Sequence, residues 1–380
     1  MRAAAVRTLF DFCGCVAAAT GTDADWAGGA AGRLALLAHL HDQDDFHLGS
    51  LTHPGGVVWS AIAGCAGRTA TLGESIEAAA FGYELTVRLA EAAGPGHRRL
   101  WHATATAGTV GAAGAAARLL GADPVDAVAH AASVAGGSAQ AMVDRAGTRL
   151  VHRSHAAESG VRCARAALAG LRGSRGVISG GRGAFAELAG VGAEREASAI
   201  AETGFRLHAA NGFAQAAVDA ASMLGPVAPR DAERVRVTVS PAAALAAASN
   251  PSPADDEEAW WSIEHAVAAA LASGDPAALA AGLGDGDVRA LCARVELEAA
   301  EAGWGASVLV ELEDGASTSA SVDGPRGHEP RPASDEELVR KWNRLAGADG
   351  ASVLERLRAA RDGEPFVLVL PPAVAAAATG

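Results

Sequence analysis

The stretch Val235-Arg236-Val237-Thr238-Val239 alternates apolar and polar residues one by one. Such alternation predicts a β-strand with one buried face. Residues 3 to 225 mostly lack it, and glycine and proline separate their apolar runs, which predicts one helix after another. Beyond the quoted stretch the sequence predicts a helix and three further strands, at Ser262–Ser273, Arg294–Glu298, Ser307–Leu312 and Ser317–Val322.

Helical patterns return towards the C-terminal end, at Asp335–Leu345 and Ser352–Arg361. The strand-bearing part is therefore predicted to be an insertion into a helical domain that both ends of the chain complete. We predict a mainly α fold with a large all-helical domain, residues 1–230 and 335–380, and a smaller α+β domain, residues 231–334, that forms an α/β lid.

Composition limits the class of protein. Half of the 380 residues are apolar, alanine and glycine dominate, and only 4% are aromatic. Small side chains let helices approach closely, and the long Ala/Gly-rich pattern Trp101–Leu120 is predicted to lie at the packing centre. The net charge is −13 and there is no basic stretch, so no nucleic-acid partner is expected.

Lysine and cysteine usage excludes several chemistries. Only one of the 31 basic residues is a lysine, Lys341, in a helix-like segment predicted to face solvent, so a Schiff base or a lysine general base is not expected. Five cysteines without a CxxC pair predict neither a disulfide framework nor a metal site: Cys13, Cys15, Cys65, Cys163 and Cys292. Asp11 interrupts the apolar N-terminal run, and no stretch suits a membrane span, so we predict a cytoplasmic protein.

The strongest chemical signal is an acidic, histidine-bearing stretch, His41-Asp42-Gln43-Asp44-Asp45-Phe46-His47, followed by His53-Pro54-Gly55. A carboxylate can hold an imidazole in one tautomer while the other ring nitrogen exchanges a proton near neutral pH. The aspartates could instead form a solvated loop or a helix N-cap. We predict catalytic roles for Asp42, Asp44 and His53.

Other candidates are ambiguous when taken singly. His102 opens an apolar helix, where a lone histidine is often a satisfied core residue. The segment Arg149-Leu-Val-His152-Arg153-Ser-His155 fits either a salt-bridged surface turn or an anion site. Arg206-Leu-His208-Ala-Ala-Asn211 mixes a cation with hydrogen-bonding side chains, and His265 lies on the helix predicted at Ser262–Ser273.

Taken in order, short segments of the chain resemble the MmgE/PrpD family, which includes 2-methylcitrate dehydratase, cis-aconitate decarboxylase and iminodisuccinate epimerase. The matching segments span nearly the whole chain: Asp42–Asp45 with His53-Pro54-Gly55, Phe81–Glu84, Trp101–Thr104 with Gly108 and Gly111, His152–Gly160, Val218–Ala220, Ser262-Ile263, Asp314-Gly315 and Lys341. The resemblance implies a large helical domain, a smaller α/β lid, a homodimer and a cleft between the domains. It also implies action on polycarboxylates without a metal or an organic cofactor.

Carried over by position, Asp42, His53 and His102 match family active-site residues. Four positions depart from the family: Arg149 and Arg206 replace common lysines, Asn211 a usual histidine, and His265 a usual tyrosine. Arginine keeps the positive charge but does not titrate in proteins, so it can bind a carboxylate without moving protons. The predicted catalytic residues are His53, His102, Asp42, Asp44 and His265, and the predicted substrate-binding residues are Arg149, Arg206, Asn211, His152 and Thr104.

The leading hypothesis is a cofactor-independent hydro-lyase that acts on a β-hydroxy di- or tricarboxylic acid, in the tailoring of a secondary metabolite. Arginines bind a carboxylate, and one of His53 and His102 removes the α-proton. The other histidine, oriented by Asp42 or Asp44, protonates the leaving hydroxyl. A decarboxylase or an epimerase begins from the same bound carboxylate and stays an alternative. A catalytically inactive ligand-binding homologue is another, since decay would also replace the lysines, the histidine and the tyrosine.

Overall fold

The computed structural model of the protein describes residues 1–67, 69–178, 180, 185, 198–247, 249–274, 283–300, 303–347 and 349–379. The chain divides into two compact units, the first formed by Met1–Gly204 with Leu338–Gly380 and the second by Phe205–Glu337. The first is helical and the second contains helices and a sheet, so the predicted fold class is confirmed.

The helices begin and end, in chain order, at α1 Arg2–Ala18, α2 Ala30–His39, α3 Pro54–Cys65, α4 Leu72–Leu100, α5 Ala103–Leu120, α6 Pro124–Val134, α7 Gln140–Val143, α8 Thr148–Leu168, α9 Ala199–Glu202, α10 Gln215–Met223, α11 Pro241–Ala247, α12 Asp256–Trp261, α13 Ile263–Ser273, α14 Gly286–Cys292, α15 Asp335–Ala346, α16 Gly350–Ala359, α17 Phe366–Val369 and α18 Pro372–Thr379. Within α4 the helix is broken at Gly94, just before Pro95. None of the described helices combines the length and apolarity that crossing a bilayer requires.

Local signals account for several helix ends. Pro54 occupies the first turn of α3, where its missing N–H costs no hydrogen bond. Thr71 and Glu74 form a reciprocal capping box at the start of α4. Ser262 accepts a hydrogen bond from the backbone N–H of His265 and so caps α13. These three helix starts follow from the residues that form them.

Helix α5 lies at the centre of the first unit, in contact with α3, α4, α6 and α8. Every residue from Ala103 to Ala117 is buried, as the Ala/Gly-rich pattern predicted. At Gly111 the approach of α4 is so close that a Cβ would lie 1.9 Å from Thr86 Oγ1 and 2.6 Å from the carbonyl oxygen of Gly82. Only a residue without a side chain fits there.

The second unit is built on a four-stranded sheet in the order β2-β1-β3-β4, with β1 Ala232–Val239, β2 Val295–Ala299, β3 Ala306–Leu312 and β4 Ser317–Val322. Strand β1 pairs in parallel with β2 and antiparallel with β3, which pairs antiparallel with β4. Buried side chains of β1 and β3 pack against α10, α13 and α14.

The second unit begins earlier in the chain than predicted, at Phe205 rather than at residue 231. Residues 205–230 were placed with the helical domain, but α10 shares one apolar core with β1 and α13, so the compact unit begins at Phe205. Its C-terminal limit is Glu337 rather than the predicted residue 334. A helical pattern alone does not show which core a helix joins.

Candidate active site

The acidic stretch lies between α2 and α3, and its carboxylates are buried. Asp42, Asp44 and Asp45 are 4%, 1% and 2% exposed, so the alternative of a solvated loop is wrong. Buried carboxylates require ionic or hydrogen-bonding partners, because a lone ion loses its hydration. The structure supplies those partners from α2, α3, α4 and α8.

Asp44 contacts three side chains that carry or can carry positive charge. Its Oδ1 lies 2.6 Å from His39 Nδ1 and 3.6 Å from His53 Nδ1. Its Oδ2 accepts a hydrogen bond from Arg153 Nη1 at 3.0 Å. One carboxylate therefore connects the end of α2, the start of α3 and the second turn of α8.

His39 also belongs to this site, although it was not predicted from the sequence. Its Nε2 lies 3.4 Å from Asp42 Oδ1, and Arg149 Nη1 lies 3.7 Å from the same oxygen. The available signal was closeness in sequence, since His39 precedes Asp42 by three residues and Asp44 by five. The imidazole of His39 thus lies between the carboxylates of Asp42 and Asp44.

His53 is the N-cap residue of α3 and is held by its Nδ1, which donates to the backbone carbonyl oxygen of Asp45 at 2.9 Å. A carbonyl oxygen only accepts, so Nδ1 carries the hydrogen and Nε2 is the basic nitrogen of the neutral ring. The backbone N–H of His53 donates to Thr104 Oγ1 at 3.2 Å. Thr104, predicted to bind substrate, therefore also orients this residue.

The carboxyl group of Asp45 supports the start of α3. Its Oδ1 accepts from the backbone N–H of Gly55 at 2.9 Å, and Tyr83 Oη donates to Oδ2 at 2.6 Å. Burial raises the pKa of Asp45 to about 7, against the lowering effect of the Tyr83 hydrogen bond. A Cβ at Gly55 would lie 2.4 Å from Tyr83 Oη and 2.5 Å from Asp45 Oδ2, which explains the glycine.

His102 is the N-cap residue of α5, and its ring meets that of His152 on α8. The two Nδ1 atoms are 3.2 Å apart. Burial, followed by the charges of Arg153, His152 and Arg149, holds the pKa of His102 well below its usual range. The pKa of His152 is also lowered, first by burial and then by Arg153. Both rings are therefore neutral at neutral pH.

The segment from Arg149 to His155 is helical, so the alternative of a surface turn is wrong. Arg149 and Arg153 are both 2% exposed and one helical turn apart in α8, and they face the carboxylates of Asp42 and Asp44. A guanidinium keeps its charge even when it is buried. These two side chains fix positive charge beside the acidic stretch.

Lys341 was predicted to face solvent, and this was wrong. It is 2% exposed, and its Nζ donates to Asp11 Oδ1 and to the backbone carbonyl oxygen of Gln43, both at 2.5 Å. The amphipathic pattern of α15 did not reveal a buried carboxylate on α1. Because Gln43 lies inside the acidic stretch, the only lysine of the chain helps to hold that stretch in place.

The first unit thus brings most of the predicted site residues together around Asp44, namely Asp42, Asp44, His53, His102, Thr104, Arg149 and His152. The other predicted residues belong to the second unit: Arg206, Asn211 and His265. All three are buried there, at 1%, 3% and 4% exposure. Asn211 Oδ1 accepts from the backbone N–H groups of Phe213 and Ala214, so its amide also caps the chain before α10. Their predicted catalytic and binding roles stay predictions.

The second unit pairs His208, from the ambiguous segment Arg206–Asn211, with Asp219, a pairing that was not predicted from the sequence. His208 Nε2 lies 2.8 Å from Asp219 Oδ1. Asp219 Oδ2 accepts from the backbone N–H of Arg326 at 2.5 Å and from Arg331 Nη1 at 3.0 Å. The pair therefore connects α10 to the chain between β4 and α15.

Among the described residues, His39, Asp44 and His53 bring one potential metal-ligand atom each within 4.8 Å of one another. The geometry does not suit an ion. Ligands of one zinc ion are at least about 3 Å apart, whereas His39 Nδ1 and Asp44 Oδ1 are 2.6 Å apart, which is a hydrogen-bond distance. Arg153 already binds the same carboxylate.

Comparison with known proteins places the whole architecture in one family. No curated protein matches the chain. The MmgE/PrpD N-terminal domain matches residues 1–196, and the MmgE/PrpD C-terminal domain matches residues 208–361. Members of this family are generally lyases of the dehydratase type. The two matches cover most of the sequence in the expected order, and the chain belongs to the MmgE/PrpD family.

Proposed function

We propose that the protein is a cofactor-independent hydro-lyase that acts on a β-hydroxy di- or tricarboxylic acid. Family membership supports a dehydratase-type reaction. The observation that carries the proposal is the contrast between two histidines of the first unit. His53 lies 3.6 Å from the Asp44 carboxylate, whereas His102 is beside His152 and the charge of Arg153. Opposite surroundings suit an acid and a base.

In the proposed reaction His102 is the general base. Its lowered pKa keeps the ring unprotonated at neutral pH, so it can take the α-proton of the substrate. The nearby guanidinium of Arg149, which lies 3.7 Å from Asp42, also binds a substrate carboxylate. Its fixed charge then stabilises the negative charge that develops on the enediolate.

His53 is the acid. The hydrogen bond from Nδ1 to Asp45 directs proton transfer to Nε2, and the carboxylate of Asp44 stabilises the imidazolium form. The bond between the β-carbon and the hydroxyl breaks as Nε2–H gives its proton, and water leaves. The α-proton ends on His102, and a double bond joins the two carbons. No electrons are gained or lost, so the step needs no redox partner.

The test is turnover of a panel of β-hydroxy di- and tricarboxylates, followed by NMR in deuterated water. A new alkene supports dehydration. Release of carbon dioxide, or α-exchange without an alkene, replaces the proposal with the decarboxylase or the epimerase alternative. A raised melting temperature without any turnover favours the inactive ligand-binding homologue.

Variants then test the two roles. His53→Ala and His102→Ala should each lower kcat by about two to four orders of magnitude. His130→Gln on α6 is the matched control, since within the described parts of the chain its ring has one hydrogen-bond partner, the backbone oxygen of Leu171. A near-normal kcat in both alanine variants would contradict the acid and base roles of His53 and His102. Homodimer formation, a cytoplasmic location and a role in secondary metabolism stay predictions.

A further inference from the structure

The imidazole of His39 lies between two carboxylates. Its Nδ1 is 2.6 Å from Asp44 Oδ1, and its Nε2 is 3.4 Å from Asp42 Oδ1. The ring is 1% exposed, and both aspartates are buried. Water therefore does not screen either contact.

The two carboxylates determine how many protons the His39 ring carries. A neutral imidazole has one N–H and one lone pair, whereas an ionised carboxylate can only accept. A neutral His39 would direct its lone pair at one of the two carboxylates. An imidazolium has two N–H donors and satisfies both.

The neighbouring charges decide where the additional proton lies. Arg149 lies 3.7 Å from Asp42, and Arg153 lies 3.0 Å from Asp44, so each carboxylate has a guanidinium that favours its ionised form. The proton then belongs to His39 rather than to Asp42 or Asp44. The ring of His53 presents its edge to His39, with the ring centres 5.3 Å apart.

Helices α1 and α18 also pack on α2. Helix α18, residues Pro372–Thr379, contains no titratable side chain. Helix α1 contributes Asp11, whose carboxylate is paired with Lys341. Among the described residues, the charged or titratable groups whose contacts place them at or near His39 include two carboxylates, two guanidinium groups and one imidazole: Asp42, Asp44, Arg149, Arg153 and His53. The other acidic groups beside α2 are Glu158 of α8, which accepts from the backbone N–H of Gly32 at the opposite end of α2, and Asp25 of the short 3-10 helix Asp25–Ala27.

We propose that His39 is a doubly protonated bridge between Asp42 and Asp44, and that it acts as a positioning residue for the acid–base groups of the site. Its positioning role rests on the proposed hydro-lyase function. The bridge holds the Asp44 carboxylate beside His53 and the Asp42 carboxylate beside Arg149. It also keeps one positive charge near the acid without exposing it to solvent.

The charge is tested without any substrate, in the full chain labelled with ¹⁵N-histidine. Long-range ¹H–¹⁵N spectra distinguish an imidazolium from the two neutral tautomers. We expect one imidazolium to persist at about pH 8, where ordinary histidines with a pKa near 6.5 are neutral. The signal should disappear in His39→Gln and stay in His130→Gln.

The wild-type spectrum alone can overturn the bridge. If every ring is neutral at about pH 8, His39 does not carry two protons, whether or not His39→Gln folds. Added Zn²⁺ should leave the persistent signal unchanged. Loss of that signal on addition of zinc would mean a metal site at His39 and His53, and would also overturn the proposal.

Kinetics test the positioning role once turnover is found. We expect His39→Gln to lower kcat by about 10- to 100-fold, as loss of outer partners commonly does, while KM stays close to that of the wild type. Unchanged kcat would overturn the positioning role. A persistent imidazolium without turnover on any substrate supports the bridge and counts against the hydro-lyase. Turnover by a protein in which His39 is neutral would support the hydro-lyase and overturn the bridge.

Discussion

His102 Nδ1 and His152 Nδ1 lie 3.2 Å apart, so the start of α5 and the first turns of α8 meet through a single shared hydrogen. One nitrogen must donate and the other accept, which two imidazolium rings cannot do. The contact therefore requires that at least one ring stays neutral. The lowered pKa of each ring agrees with this requirement.

This pair predicts how stability depends on pH. Because the pKa of both rings is lower in the folded state, the unfolded chain takes up protons first, near its ordinary value of about 6.5. Their contribution should be full above about pH 6.5 and be lost as the pH falls below it. Denaturant unfolding at several pH values should show a smaller acid loss in His102→Gln than in the wild type, by about 1.4 kcal/mol for each unit of pKa lowering. An equal acid loss in both proteins would contradict the prediction, and His130→Gln is the control.

Asp45 predicts a dependence of the opposite sign. Its pKa is raised to about 7 in the folded state. The folded protein therefore binds this proton more tightly, and the contribution is lost as the pH rises from about 4 to about 7. Asn cannot ionise but can still accept from Gly55 and donate to Tyr83.

Relative to wild type, Asp45→Asn should therefore be more stable at about pH 8 than at about pH 5, with a free energy of unfolding that is larger by roughly 2 kcal/mol. Asp23→Asn, at an exposed position, is the matched control. A difference that does not change with pH would show that Asp45 is already ionised in the folded protein at about pH 5.

The pair formed by Lys341 and Asp11 predicts a strong dependence on both partners. Lys341→Met should lower the free energy of unfolding by about 3–5 kcal/mol, because it leaves the Asp11 carboxylate buried without its cation. Asp11→Leu in the same chain should restore much of that loss, since a buried ion pair often exchanges with apolar side chains at little cost. Urea unfolding of the single and double variants measures this. If the double variant loses as much as the two single variants added together, the two residues are not coupled.

Chemical modification tests the burial of the same lysine independently. Lys341 is the only lysine of the chain, so peptide mass spectrometry follows one side chain. An acylating reagent should leave Lys341 unmodified in the folded protein and modify it after unfolding. Rapid modification in the folded state would contradict its burial.

Gly55 predicts a steric effect at the start of α3. Gly55→Ala should lower stability by about 1–3 kcal/mol, because the new methyl group overlaps Tyr83 Oη and Asp45 Oδ2. Gly96→Ala is the control, since apart from its chain neighbours and the adjacent backbone of α4 no described atom lies within 4 Å of its added Cβ. Thermal unfolding compares the two variants. Equal melting temperatures would show that the Asp45 and Tyr83 side chains move aside without cost.

Much of the architecture could be predicted because its signals are local. Proline at the first turn of α3, the alanine and glycine of α5, and the alternation in β1 each act within one element. The limits of the second unit could not be predicted in this way, because the sequence of α10 has the same helical pattern whichever core the helix joins. Which residues share a core depends on contacts distant in sequence.

The same division applies to the candidate site. Asp42, Asp44, His53 and His102 could be selected from residue type, turn signals and family resemblance. The contact of Asp44 with Arg153, 109 residues away, has no local signal, and neither does the burial of Lys341 against Asp11, 330 residues away. His39 is close to the acidic stretch in sequence, but its role could be inferred only from the structure, in which its ring lies between two carboxylates.

The sequence by itself determined the helices, the strands and the residue types that can move protons, because periodicity, capping and side-chain chemistry are properties of neighbouring residues. The tertiary structure alone decided which charges are buried and which partner each one has. The cost of burying a charge depends on the groups that replace its water, and folding brings those groups from distant parts of the chain.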